Sequence, residues 1–187
     1  MLDSALKFHH EGLLDKADEI YQDILKIDEQ NFDANHLHGI ILSQKGEYEK
    51  ALLFLNKARK RNSNNYELSN NLGIAHKNLR DYKNAEQYFL NAILLNKNNY
   101  KAYYNAANLY IDQGKLDKAL KFLEDAEKHN TNFAEINQRM GEVYQTKFKL
   151  SQNINYIEKS IKCFEQSLGK DPSNTDAYVR LALSFLW

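Results

Sequence analysis

A period of 34 residues runs through the chain and constrains its fold more than any other feature. Ala17, Ala51, Ala85 and Ala119 stand one period apart, and so do Gly39, Gly73, Ala107 and Gly141. A third series in the same phase holds larger residues, Tyr21, Leu55, Phe89 and Leu123, and a fourth holds Ala58, Ala92 and Ala126. A fixed period of this length marks a repeated supersecondary unit that buries its apolar faces against its neighbours. Inside one unit, Ala85, Phe89, Ala92 and Ile93 follow the spacing of an amphipathic helix, and Leu72, Gly73 and His76 form a stripe on a helix before it. Asn65 and Asn99 stand where a helix N-cap is wanted. Gly12, Gly46 and Gly114 fall at the break between the two helices, where a left-handed residue ends a helix, with Arg80 at the same place in the third unit. Each unit therefore reads as a helical hairpin. The small residues Gly73 and Ala85 are expected where its two helices cross closely, and Phe89 is expected to fill the space against the next unit.

Composition supports helices joined by short connections: the 187 residues include seven glycines and one proline. With 43% hydrophobic and 27% charged residues the chain is too apolar for intrinsic disorder. Lys+Arg 25 balances Asp+Glu 25, so a strongly basic nucleic-acid binder or a polybasic membrane-surface protein is not expected. No stretch approaches the roughly 18 apolar residues of a membrane span, and the first residues lack a signal-peptide pattern. The single cysteine, Cys163, allows no internal disulfide and points to a reducing, cytoplasmic setting.

The series Ala107, Tyr110, Ala119, Leu123 and Ala126 resembles the motif of the tetratricopeptide-repeat (TPR) family. The motif's late proline is replaced by Glu29, Ser63, Lys97 and Thr131 and kept only as Pro172. The resemblance implies an all-α fold, a right-handed α-solenoid of stacked helix-turn-helix repeats. Residues 1–187 are expected to form a single solenoid, with units at 1–31, 32–65, 66–99, 100–133 and 134–174 and a partial one at 175–187. The fifth unit carries a seven-residue insertion, about two helical turns, placed around a loop near residues 151–155. The opening segment is similar to the repeat region of bacterial TPR proteins of the O-GlcNAc-transferase-like type.

No Gly-rich phosphate loop, nucleophile elbow or HExxH pattern is present. His36 and His38 sit two apart on a helix and cannot chelate one ion together, and Cys163 reads as a buried thiol. The expectation is a non-catalytic module with no cofactor and no metal. By the resemblance, the first helix of each unit lines a concave groove, and its positions map to His36, Leu37, Ile40, Asn70, Asn71, Ile74, Lys101, Tyr104, Asn105, Asn108, Gln138 and Arg139. Each asparagine offers a donor and an acceptor to an extended peptide backbone, Tyr104 offers a flat amphipathic surface, and Leu37 and Arg139 interrupt the row. A clamp for a C-terminal carboxylate is disfavoured, because Glu135 would repel it. The leading role is a protein-interaction scaffold that binds a peptide or helix segment in the groove. The alternative is the N-terminal substrate-recognition arm of a larger glycosyl-, sulfo- or methyltransferase. The expected partner is a protein or peptide, with no nucleic acid and no membrane. Self-association through the apolar end at Phe185, Leu186 and Trp187 is a further expectation.

Overall fold

The structure, a computed structural model, describes residues 1–186. Trp187, assigned above to the apolar end, lies outside the described residues. Among the described residues the chain forms eleven helices and no strand: α1 (Leu2–His10), α2 (Leu14–Ile27), α3 (Phe32–Gln44), α4 (Tyr48–Arg61), α5 (Tyr66–Asn78), α6 (Tyr82–Leu95), α7 (Tyr100–Asp112), α8 (Leu116–His129), α9 (Ala134–Ser151), α10 (Ile154–Lys170) and α11 (Thr175–Ser184). Consecutive helices pair as hairpins, α1 with α2 through α9 with α10, and α11 packs on α10 and α9. The hairpins fall into two compact units, Met1–Asn96 and a second from Lys97 onward.

In the first unit, the helix starts follow the capping chemistry of the sequence. The side chains of Asn31, Asn65 and Asp81 accept the backbone N–H of Ala34, Leu68 and Asn84, each filling a donor that the helix start leaves unpaired. The turns inside the hairpins use left-handed residues, Gly12 at φ 74°, Gly46 at φ 79° and Arg80 at φ 59°. The second and third hairpins then close around a glycine, where the first has the fully buried Ala5. A Cβ on Gly39 would lie 2.7 Å from Leu55 Cγ, and one on Gly73 would lie 2.6 Å from two ring carbons of Phe89. The ring of Phe89 thus covers the glycine of its own hairpin, while Leu55, its counterpart one period earlier, also packs on Leu68 and Leu72 of the next hairpin. Leu55, Phe89 and Tyr21 are all fully buried.

Between hairpins the first unit combines apolar clusters with buried polar ties. Ala5, Ala17 and Tyr21 pack with Ile41, and Leu42 and Leu55 pack with Leu68 and Leu72. Asp18 of α2 is hydrogen-bonded to His38 Nδ1 of α3, and Lys45 completes the group at 3.4 Å from Asp18 and 2.8 Å from Asp15. The His38 ring stands edge-on to Phe54 at 4.3 Å. A buried carboxylate needs such partners to offset its desolvation.

In the second unit, α9 has 18 residues where α7 has 13, and α10 has 17 where α8 has 14. The lengthened pair meets at Gln152 and Asn153, with Gln152 left-handed at φ 56°. The ring of Phe164 lies over Gly141, 2.7 Å from where its Cβ would be. A polar seam holds α11: Gln145 Nε2 donates to Ser184 Oγ at 2.8 Å and to the Arg180 carbonyl at 3.0 Å, and the hydroxyls of Ser160 and Ser184 are 3.2 Å apart. The outer side of α11 and the two described residues after it carry exposed apolar side chains, with Val179, Phe185 and Leu186 at 57%, 66% and 78%.

Two stability measurements check this account. Gly73→Ala forces the buried Phe89 ring to move, and urea unfolding should show a loss of about 1–3 kcal/mol; an unchanged midpoint would disprove the close approach. Arg80→Gly relieves a left-handed conformation that costs an L-residue about 1 kcal/mol, so its midpoint should rise.

Candidate functional site

Each of the two units carries its own share of the residues expected to bind. In the first, α3 and α5 carry His36, Leu37, Ile40, Asn70, Asn71 and Ile74. His36 is only 6% exposed, so it is a support more than a contact surface. Its Nε2 lies 2.9 Å from Asn71 Nδ2, and its ring tilts against Phe32 at 5.7 Å. This pairing links α3 to α5 and fixes the Asn71 carboxamide, which is half-buried. Burial lowers the pKa of His36 against the opposing pull of Glu67 and Asp33, so the imidazole is neutral and accepts from the Asn71 amide. Leu37 packs on the cluster of Ala5, Ala17 and Tyr21, while Ile40, Asn70 and Ile74 are half-buried.

In the second unit, α7 carries Lys101, Tyr104, Asn105 and Asn108, and α9 carries Gln138 and Arg139. Lys101 is exposed and the other five are half-buried. The Tyr104 ring meets Phe133 edge-on at 5.6 Å. Arg139 donates to Glu142 Oε2 at 2.7 Å, and Arg180 lies 3.1 Å from the other oxygen of the same carboxylate. Burial works against the charge on Arg139, but Glu142 and Tyr104 outweigh it and raise the guanidinium pKa above its ordinary value. Gln138 donates to Asp176 at 2.6 Å and accepts from Asn174 at 2.7 Å. Gln138 and Arg139 are thus held by α11 and by Glu142, and the Tyr104 ring rests against Phe133.

Beside this network lies a cavity of about 330 Å³. Ile111, Leu116, Val143 and Leu150 form apolar walls, and Arg139 and Glu142 lie on the polar side. Thr146, Lys149 and Leu150, from the lengthened end of α9, complete it. These last residues escaped the sequence reading, although the seven-residue insertion was the signal that could have led to them. Among the described residues no three His, Cys, Asp or Glu side chains gather as metal ligands. Burial, with Glu127 adding, pushes the Cys163 thiol up to about 12, so it carries almost no thiolate at neutral pH. No helix among the described residues is long and apolar enough to cross a membrane.

Hairpins of this length, stacked and crossed at small residues, define a helical-repeat protein. Family models described as tetratricopeptide repeat match residues 32–65 and 79–140, together just over half of the chain. The chain belongs to the tetratricopeptide-repeat family. No curated protein sequence matches it significantly. Among solved structures, the TPR protein YrrB, which has an unusual peptide-binding site, is 22% identical over 95% of this chain and 88% of that one, with a TM-score of 0.70. A thermophilic TPR protein of Thermus thermophilus, TTC0263, is 19% identical over 100% and 97%, with a TM-score of 0.79. The pilF protein of Pseudomonas aeruginosa is 18% identical over 99% and 82%, with a TM-score of 0.81. At these identities the likeness is one of fold.

The lowered pKa of His36 has a signed consequence for stability. As pH falls, the unfolded chain takes up this proton before the folded one, so the contribution of the site is complete above the ordinary imidazole range and is lost on acidification through the folded value. His36→Gln should flatten the fall in urea midpoint between about pH 7 and pH 5; a fall equal to that of the unmodified chain would refute the assignment.

Proposed function

We propose that the chain is a non-catalytic protein-interaction scaffold that binds extended peptide segments on its first-helix faces. The observation that carries this reading is the cavity on α9, where an apolar recess adjoins polar groups already fixed in place. The apolar walls Ile111, Leu116, Val143 and Leu150 suit one apolar side chain of a ligand. Tyr104, Asn105 and Asn108 on α7 then meet the ligand backbone, with Lys101 and Gln138 at the edge. The Tyr104 ring is already packed edge-on against Phe133, and ordering it before binding lowers the entropy lost on docking. In the first unit, Asn71 held by His36, with Asn70 and the apolar Leu37, Ile40 and Ile74, plays the same part. The fold shared with YrrB, a TPR protein with a peptide-binding site, supports the reading.

The test is to select peptides from a displayed library on the immobilised chain and titrate the best binder by calorimetry. Tyr104→Ala and Asn105→Ala should each weaken it by about tenfold, or about 1.4 kcal/mol. A peptide bound equally by both variants would remove this face as the binding site.

A further inference from the structure

Helix α4 ends in the run Lys57, Ala58, Arg59, Lys60, Arg61. The chain has only five arginines beside 20 lysines and no net charge, yet two of the five fall within this run. The excess of cations is therefore local. The equivalent last turns are much poorer in charge: α2 ends with Lys26, α8 with Lys128 and His129, α10 with Lys170, and α6 with no basic residue. A helix C-terminus favours a cation through its dipole, which accounts for basic residues there but not for how one of them is held.

The guanidinium carbon of Arg59 lies over the Tyr88 ring of α6, 5.8 Å from its centre. Tyr88 in turn stacks on His76 of α5, with centres 5.3 Å apart and planes within 17°. His76 Nδ1 lies 3.0 Å from Asp81 Oδ2. Three flat groups thus form a pile anchored at Asp81, and its outermost member is an exposed arginine. A guanidinium resting on a ring keeps its N–H edges directed outward, and that fork matches a carboxylate with two parallel hydrogen bonds. The carboxylate that meets this run, Glu29, pairs with Lys57 at 2.8 Å. Among the described residues, Arg59, Lys60 and Arg61 have no carboxylate partner.

We propose that Arg59, Lys60 and Arg61 form a docking surface for an acidic peptide segment of a partner protein, with Arg59 as its pre-oriented contact. The surface lies on a helix that supplies none of the peptide-binding residues assigned above, so the two readings stand or fall separately. An acidic peptide fits better than a nucleic acid, because the cations are confined to one helix end while the whole chain is neutral. Following a phosphate backbone takes a wider basic stripe.

The experiment titrates a fluorescent oligoglutamate peptide against the full chain in low salt, with single-stranded oligouridylate as a competitor. Arg59→Ala combined with Arg61→Ala should weaken binding by about tenfold or more. Lys115→Ala combined with Lys121→Ala, which removes the same charge from exposed sites elsewhere, should leave it unchanged. Tyr88→Ala should weaken it by about threefold by releasing Arg59, and Tyr88→Phe should restore it. Circular dichroism melts confirm that each variant is folded. No binding, or equal weakening by the two double variants, overturns the proposal. Tighter binding of oligouridylate than of the peptide, lost in the Arg59 and Arg61 variant, also overturns it and assigns the surface to nucleic acid.

Discussion

The contact between a glycine on one helix and a large buried side chain on the next sets the geometry of three of the five hairpins. Gly39 under Leu55, Gly73 under Phe89 and Gly141 under Phe164 leave no room for a Cβ. The helices therefore approach closely, and the large residue is enclosed on all sides. Leu55, Phe89 and Phe164 are fully buried as a result, which is the arrangement that releases the most apolar surface from water per side chain. The close crossing also fixes the rotation of the first helix in these hairpins. The face that carries Asn71 is turned by the same contact that builds the core, and on α7 the fully buried Ala107 takes the place of the glycine.

The sequence made the hairpins legible because their determinants are local and repeat in phase. Helices α3, α5, α7 and α9 begin at Phe32, Tyr66, Tyr100 and Ala134, one period apart, and the asparagine caps and left-handed turns stand where turn chemistry puts them. Arg80 shows how strongly the repeat dictates the backbone: the position keeps its left-handed conformation without glycine. The destination of a large side chain was harder to read. Periodicity shows that the Phe89 position is buried but not which surface it covers, and the ring lies over its own hairpin's glycine.

The candidate site was legible by position and not by state. Register puts His36 and Gln138 on the first-helix faces proposed for binding, but register says nothing about what long polar side chains find nearby. His36 is enclosed and paired to Asn71, a residue 35 positions away, and Gln138 reaches Asp176, 38 positions away. Such pairings depend on how successive hairpins stack, which no spacing within one helix records. The basic end of α4 was open to reading from charge alone. The ring pile that orients Arg59 needs α4, α5 and α6 together and could not be read from the run.

The lengthened fifth hairpin shows how such a chain acquires novelty without losing its order. Seven residues are close to two whole turns of helix. Ser160, Phe164 and Ser167 therefore return to the angular setting that their counterparts hold in shorter hairpins, and all three are buried. The array behaves as a screw thread, accepting additions in whole pitches while other lengths would cross the thread. Each pitch added at the tip lifts a few side chains clear of the packed rows, as it does Leu150. New surface chemistry can be tried there while the buried rows below stay in step.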